Sequence, residues 1–96
     1  MEMLKTVNGE EVVLKISGRL DTVTAPQLEE YIAENLAGVR ALTLDCEGLE
    51  YVSSAGLRVL LAMQKRMKDG LTLKNVCELV MEVFEMTGFA DILTIA

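Results

Sequence analysis

The sequence predicts an α/β fold, a single mixed β-sheet with helices packed mainly on one face. Three observations carry that prediction. Short apolar runs alternate with longer stretches in which apolar residues recur every three or four positions. These segments follow in the order strand, strand, helix, strand, helix, strand, helix, strand, which favours parallel crossovers. Glycine, serine, asparagine or aspartate punctuates the joins between them.

Leu4 to Val7 and Val12 to Ile16 read as strands joined through Asn8-Gly9, a tight-hairpin signal. Gly18 breaks the second strand's pattern, and Arg19-Leu20-Asp21 leads into a turn. Thr24 and Gln27 have the spacing of a capping box, with Pro26 tolerated in the first helical turn. Leu28, Tyr31, Ile32 and Leu36 then follow at helical spacing until Gly38. The next strand is Ala41 to Leu44, followed by a loop through Gly48. A helix begins after Ser53/Ser54, carries Leu57, Leu60, Leu61, Gln64 and Met67 at helical spacing, and runs to about Lys68. Asp69-Gly70 ends it, and Leu71 to Leu73 gives another strand. Asn75 and Glu78 repeat the capping spacing before Val76, Leu79, Val80, Val83 and Phe84, an amphipathic stripe that Gly88 terminates as a C′ residue. Ile92 to Ile95 is expected to form the final strand.

Composition narrows the function classes. Ninety-six residues, 51% hydrophobic and 25% charged, describe one globular domain over residues 1–96. No apolar run approaches the roughly 18 residues of a membrane span. The first residues, Met1-Glu2-Met3-Leu4-Lys5, do not have the pattern of a secretory leader, so a cytoplasmic protein without direct membrane insertion is expected. The net charge of −6, with no Lys/Arg cluster, leaves nucleic-acid binding without its electrostatic footprint. There is no histidine, which removes Ser-His-Asp and Cys-His catalysis and any His-containing zinc site. Cys46 and Cys77 are isolated and are expected as reduced, buried structural thiols. With no phosphate-cradling glycine loop either, the expectation is a binding module, not an enzyme, with no metal and no cofactor.

One segment stands out, Tyr51-Val52-Ser53-Ser54-Ala55-Gly56-Leu57. Ser53 or Ser54 falls at or beside a helix N-cap, where a serine oxygen accepts a bond from an unpaired amide. The free amides and the helix dipole also suit that place to a phosphate. A structural and a regulatory role are both open on these residues alone.

The chain resembles STAS domains, most closely the free-standing bacterial anti-sigma factor antagonists. The resemblance runs from about Val12 to Ile95. It rests on Ser17-Gly18-Arg19-Leu20-Asp21, Thr24-Ala25, the Leu49 to Leu61 segment with Ser54-Ala55-Gly56-Leu57, and Thr87-Gly88-Phe89. It implies a phosphorylation site at Ser54, with Ser53 as the alternative acceptor, modified by an anti-sigma factor that is itself a serine kinase. The unphosphorylated form would bind that kinase and free the sigma factor, and a PP2C-type phosphatase would reset the switch. Two departures stand against the commoner motif, Ser53 in place of an aspartate and Ala55 in place of a serine. Many relatives also continue into a C-terminal helix, so the sheet face beyond the last strand is expected to be bare or covered by a partner or second copy.

The expected partner surface comprises Asp21, Thr24, Ser53, Ser54, Gly56, Leu57 and Arg58. Each also has a structural reading: turn and capping chemistry for Asp21 and Thr24, close backbone approach for Gly56, a solvated charge for Arg58. The expected oligomeric state is a monomer or weak dimer. A constitutive adaptor subunit of a membrane transport complex is the alternative function.

Overall fold

The computed structural model describes residues 1–67 and 69–96. Its elements are β1 (Glu2–Asn8), β2 (Glu11–Leu20), α1 (Ala25–Asn35), β3 (Ala41–Val52), α2 (Ser54–Arg66), β4 (Gly70–Lys74), α3 (Glu78–Thr87), a 3-10 turn (Phe89–Asp91) and β5 (Thr94–Ile95). The sheet order is β1-β2-β3-β4-β5. β1 runs antiparallel to β2 through the expected Asn8-Gly9 hairpin, and every other pair is parallel. Each parallel strand is added on the same side of the last. Crossovers of one hand, repeated in one direction, leave all three helices on one face.

Sequence alternation decides which face is which. Leu14, Leu44, Leu73 and Ile95 form one row across the sheet beneath the helices, and the first three are fully buried. The neighbouring rows point the other way. Val13, Thr43, Thr72 and Thr94 make one, and Lys15, Asp45 and Lys74 make a second in which charge alternates across strands. That face is half-exposed and polar because all three helices lie on the other one, an uncommon arrangement for parallel strands.

β3 is the largest departure from expectation. It continues to Val52 as a strand of 12 residues, where the strand was expected to end at Leu44 and give way to a loop through Gly48. Its buried side chains are Leu42, Leu44, Cys46, Leu49 and Val52. The period of two fails after Cys46 because β3 carries two bulges against β2. Lys15 and Ser17 pair with Asp45 and Gly48, and Gly18 and Arg19 pair with Leu49 and Tyr51, so one extra residue enters β3 at each step. The bulges keep Leu49 and Val52 on the core side. β2 likewise continues through Gly18 to Leu20. Gly18 adopts φ +93°, which permits a bulged strand where another residue would end it.

The helix starts also differ from the capping signals. At α1 the Thr24 side chain makes no cap bond, so the Thr24/Gln27 box does not form. α3 begins after Cys77, not Asn75. Asn75 takes a left-handed φ of 59° and donates from Nδ2 to Asp45 Oδ1 at 3.0 Å, bridging to β3. Glu78 is in the first turn, where its charge favours the helix dipole. Of the expected stripe on α3, only Val80 and Phe84 are fully buried; Val76 and Val83 are half-buried and Leu79 is exposed. Gly88 ends the helix in the left-handed region as expected. Ile92 is not in the last strand, because Phe89–Asp91 coil into a 3-10 turn first and leave only Thr94–Ile95 to pair. α2 ends at Arg66; the expected end near Lys68 falls outside the described residues. Met63 and Met67 are both core residues. Both cysteines are free: Cys46 is buried, which pushes its thiol up to about 12, but Cys77 is only half-buried.

Candidate functional site

The carboxyl ends of two neighbouring parallel strands define the site. Leu20, the last residue of β2, pairs with Val52, the last of β3. The chain then leaves β2 into the Asp21–Thr24 loop and leaves β3 directly into α2. The Ser53 amide donates to the Leu20 carbonyl at 2.9 Å and ties the two exits together. Gly56 makes this possible. It is buried, and a Cβ there would lie 2.7 Å from Leu20 Cγ and 2.8 Å from the Leu20 carbonyl oxygen. Only glycine lets the first turn of α2 come so close to the end of β2.

The two serines have different situations. Ser53 is the N-cap, extended at φ −94° and ψ 176°, and its Oγ accepts from the Gly56 amide at 3.4 Å. Ser54 is the first residue of the helix and is exposed. Its hydroxyl has no hydrogen-bond partner among the described residues. The capping role considered for either serine thus falls to Ser53, and Ser54 is left chemically available.

The Asp21 loop is built by hydrogen bonds around one carboxylate. Asp21 Oδ1 accepts from the Val23 and Thr24 amides at 3.0 and 3.1 Å. The Thr24 hydroxyl donates to the Arg19 carbonyl at 2.6 Å and accepts from the Asp21 amide at 2.8 Å. Thr24 therefore clamps the loop, while Asp21 receives the amides that precede α1. Arg19 lies over the Tyr51 ring, 4.3 Å from its centroid, with Nε 3.8 Å from Asp21 Oδ2. The Thr24 amide is the main cause holding the Asp21 carboxyl below its usual range; burial opposes it, and Val23, the Thr24 hydroxyl and Arg19 assist.

A pH effect follows from that depression. The stabilisation by ionised Asp21 is present above its unfolded value near 3.8 and is lost as pH falls through the lower folded value. Asp21→Asn keeps the shape and removes the charge. Urea melts from pH 7 to pH 2.5 should show wild type more stable by a constant margin above about pH 5, with the margin closing below pH 3.8. A margin independent of pH would contradict the role assigned to the carboxylate.

The remaining expected partner residues divide by burial. Arg58 is exposed, but Gly56 and Leu57 are buried, so Leu57 offers the surface nothing and serves the core. Three residues outside the expected partner surface join the site. Val23 is 72% exposed on a loop fixed on both sides by hydrogen bonds, an apolar prong in an otherwise polar turn. An apolar residue between two turn formers was the available signal for it. Arg19 and Tyr51 meet only because the bulge pairs them, which no local pattern could announce. Among the described residues no group of three His, Cys, Asp or Glu is placed to hold a metal, and no helix is long and apolar enough to cross a membrane.

The family model described as "Mlab, STAS domain" matches residues 3–94. The putative anti-sigma factor antagonist BtrV of Bordetella bronchiseptica is 39% identical over 85 residues, covering 84% of this chain and 73% of that protein. A crystal structure of an anti-sigma factor antagonist from Mycobacterium paratuberculosis superposes with a TM-score of 0.86 at 26% identity, covering 98% of this chain and 83% of the other. The Bacillus cell fate determinant SpoIIAA in its phosphorylated form has the same fold, with a TM-score of 0.71 at 22% identity, covering 99% of this chain and 91% of that one. With nearly its whole length matched and the mixed sheet in the same arrangement, the chain belongs to the STAS domain family.

Proposed function

We propose that this protein is an anti-sigma factor antagonist whose binding is controlled by phosphate on Ser54. Unphosphorylated, it binds an anti-sigma factor that is also a serine kinase, through the Asp21–Thr24 loop and the start of α2, and so releases the sigma factor. A PP2C-type phosphatase restores the binding form, and the cycle runs in the cytoplasm. The observation that carries this reading is the division of labour between the serines: Ser53 caps the helix, so Ser54 presents an exposed, unengaged hydroxyl on the same surface as the Asp21 loop. Relatives named as anti-sigma factor antagonists, and a neighbour of the same fold solved in phosphorylated form, support it. They do not favour the transport-adaptor alternative.

The physics suits a switch without refolding. A phosphoserine carries about −1.5 to −2 charges at neutral pH, and a helix N-terminus tolerates that charge. The cost falls on the complex, where the phosphate must be desolvated against the partner. The kinase supplies the nucleotide, the metal and the base that takes the hydroxyl proton.

Intact-mass analysis after incubation with ATP, magnesium and the partner kinase tests the acceptor. The wild type should gain one phosphate and lose binding, while Ser54→Ala should gain none and remain bound. A phosphate that persists in Ser54→Ala would move the site to Ser53. An unmodified wild type whose binding ignores nucleotide would overturn the switch.

A further inference from the structure

We propose that Arg58 is the internal counter-ion for a phosphate on Ser54; this rests on the functional reading above. The two residues stand four apart on α2, and both are exposed, so they share one face of the helix a single turn apart. Helical side chains lean toward the N-terminus, which aims the Arg58 guanidinium back toward Ser54 and away from the helix's far end. An acid placed four residues before a base is the favourable order of such a pair.

Arg58 is free for the task. Among the described residues it makes no ion pair, whereas Arg19 is engaged by Asp21 and Tyr51, and Arg40 by Asp69. α2 contains no Asp or Glu that could compete for it. The acidic group on the adjoining loop, Asp21, already accepts two amides and faces Arg19. The neutral Ser54 hydroxyl gives Arg58 no charged partner, so the guanidinium is uncommitted until the phosphate arrives.

In the transfer, Ser54 Oγ forms a bond to the γ-phosphorus of ATP on the kinase. The bond from that phosphorus to the β–γ bridging oxygen breaks and ADP leaves, while the hydroxyl proton passes to a base of the kinase. The new dianion then draws in Arg58. This face changes from net positive to net negative, and the arginine is no longer offered to a carboxylate on the partner.

The test installs phosphoserine at position 54 during translation, so that it does not depend on finding the kinase. Phosphorus NMR titration at low salt reads the second ionisation of the phosphate. In Arg58→Gln it should move upward by roughly 0.2–0.4 of a pH unit, the scale of an exposed helical ion pair. Arg58→Lys should recover part of the difference, and Arg66→Gln, farther along the helix, should leave the titration unchanged. Equal titration in the parent and Arg58→Gln would overturn the counter-ion role. So would a shift as large in Arg66→Gln, which would indicate only general charge. Failure of the functional reading appears separately, in the absence of kinase-dependent phosphate on Ser54.

Discussion

Phe84→Ala is expected to destabilise the protein by about 4 kcal/mol, within the 3–5 kcal/mol typical of emptying a buried phenylalanine site. Phe84 is fully buried, and with Val80 it provides all the fully buried surface of α3. A helix of 10 residues has little stability alone, so its attachment depends on these two side chains. Against a total of about 5–15 kcal/mol for a small domain, the loss is large. Urea unfolding should show it as a lower midpoint at a similar slope, and amide exchange should show α3 losing protection first. A change below about 1 kcal/mol would mean that α3 is not anchored through Phe84.

Gly56→Ala should cost about 2 kcal/mol and lower the melting temperature by roughly 8–16 °C. Two effects compete. Alanine gains about 1 kcal/mol over glycine inside a helix. Overpacking costs about 1–3 kcal/mol and sometimes more, and here the upper end applies. Of the atoms that a Cβ would meet, the Leu20 side chain can rotate, but the Leu20 carbonyl at 2.8 Å cannot withdraw without releasing the Ser53 amide that it accepts. The first turn of α2 would have to lift from β2, taking Ser53 and Ser54 with it. A thermal melt measures the cost, and an unchanged or raised midpoint would show that the helix start can shift freely.

Much of the fold is legible in the sequence because most elements keep a clean period. Leu28, Ile32 and Leu36 repeat as a helix should, Leu71 and Leu73 alternate, and Asn8-Gly9 marks its hairpin. What was missed has specific causes. The second half of β3 is hidden by its bulges, which break the alternation that identifies a strand. The two capping signals fail because Thr24 and Asn75 make other bonds, to the Arg19 carbonyl and to Asp45, that depend on the tertiary structure. The serines were legible as a helix start, but which of them caps is set by backbone geometry at Ser53. The family pattern singled out Asp21 and Ser54, which the structure places together at the ends of β2 and β3. Leu57 was assigned to the partner surface through the Ser54-Ala55-Gly56-Leu57 motif, although its place in the apolar stripe of α2 pointed to the core, where it lies.

The bulges in β3 also absorb single-residue changes in length. Core-facing positions are even-numbered at Leu42, Leu44 and Cys46, odd at Leu49, and even again at Val52. Each bulge absorbs one residue, so the numbering of the core positions changes parity while their side of the sheet does not, and Val52 stays opposite Leu20 to deliver Ser53 and Ser54 beside the end of β2. Removing either inserted residue would return that step to one-to-one pairing, with Leu49 still opposite Gly18 and Val52 still opposite Leu20 on the core side, so α2 would start facing the same way. Within this stretch, length can therefore change by a single residue without disturbing the serines, provided that the change falls at a bulge.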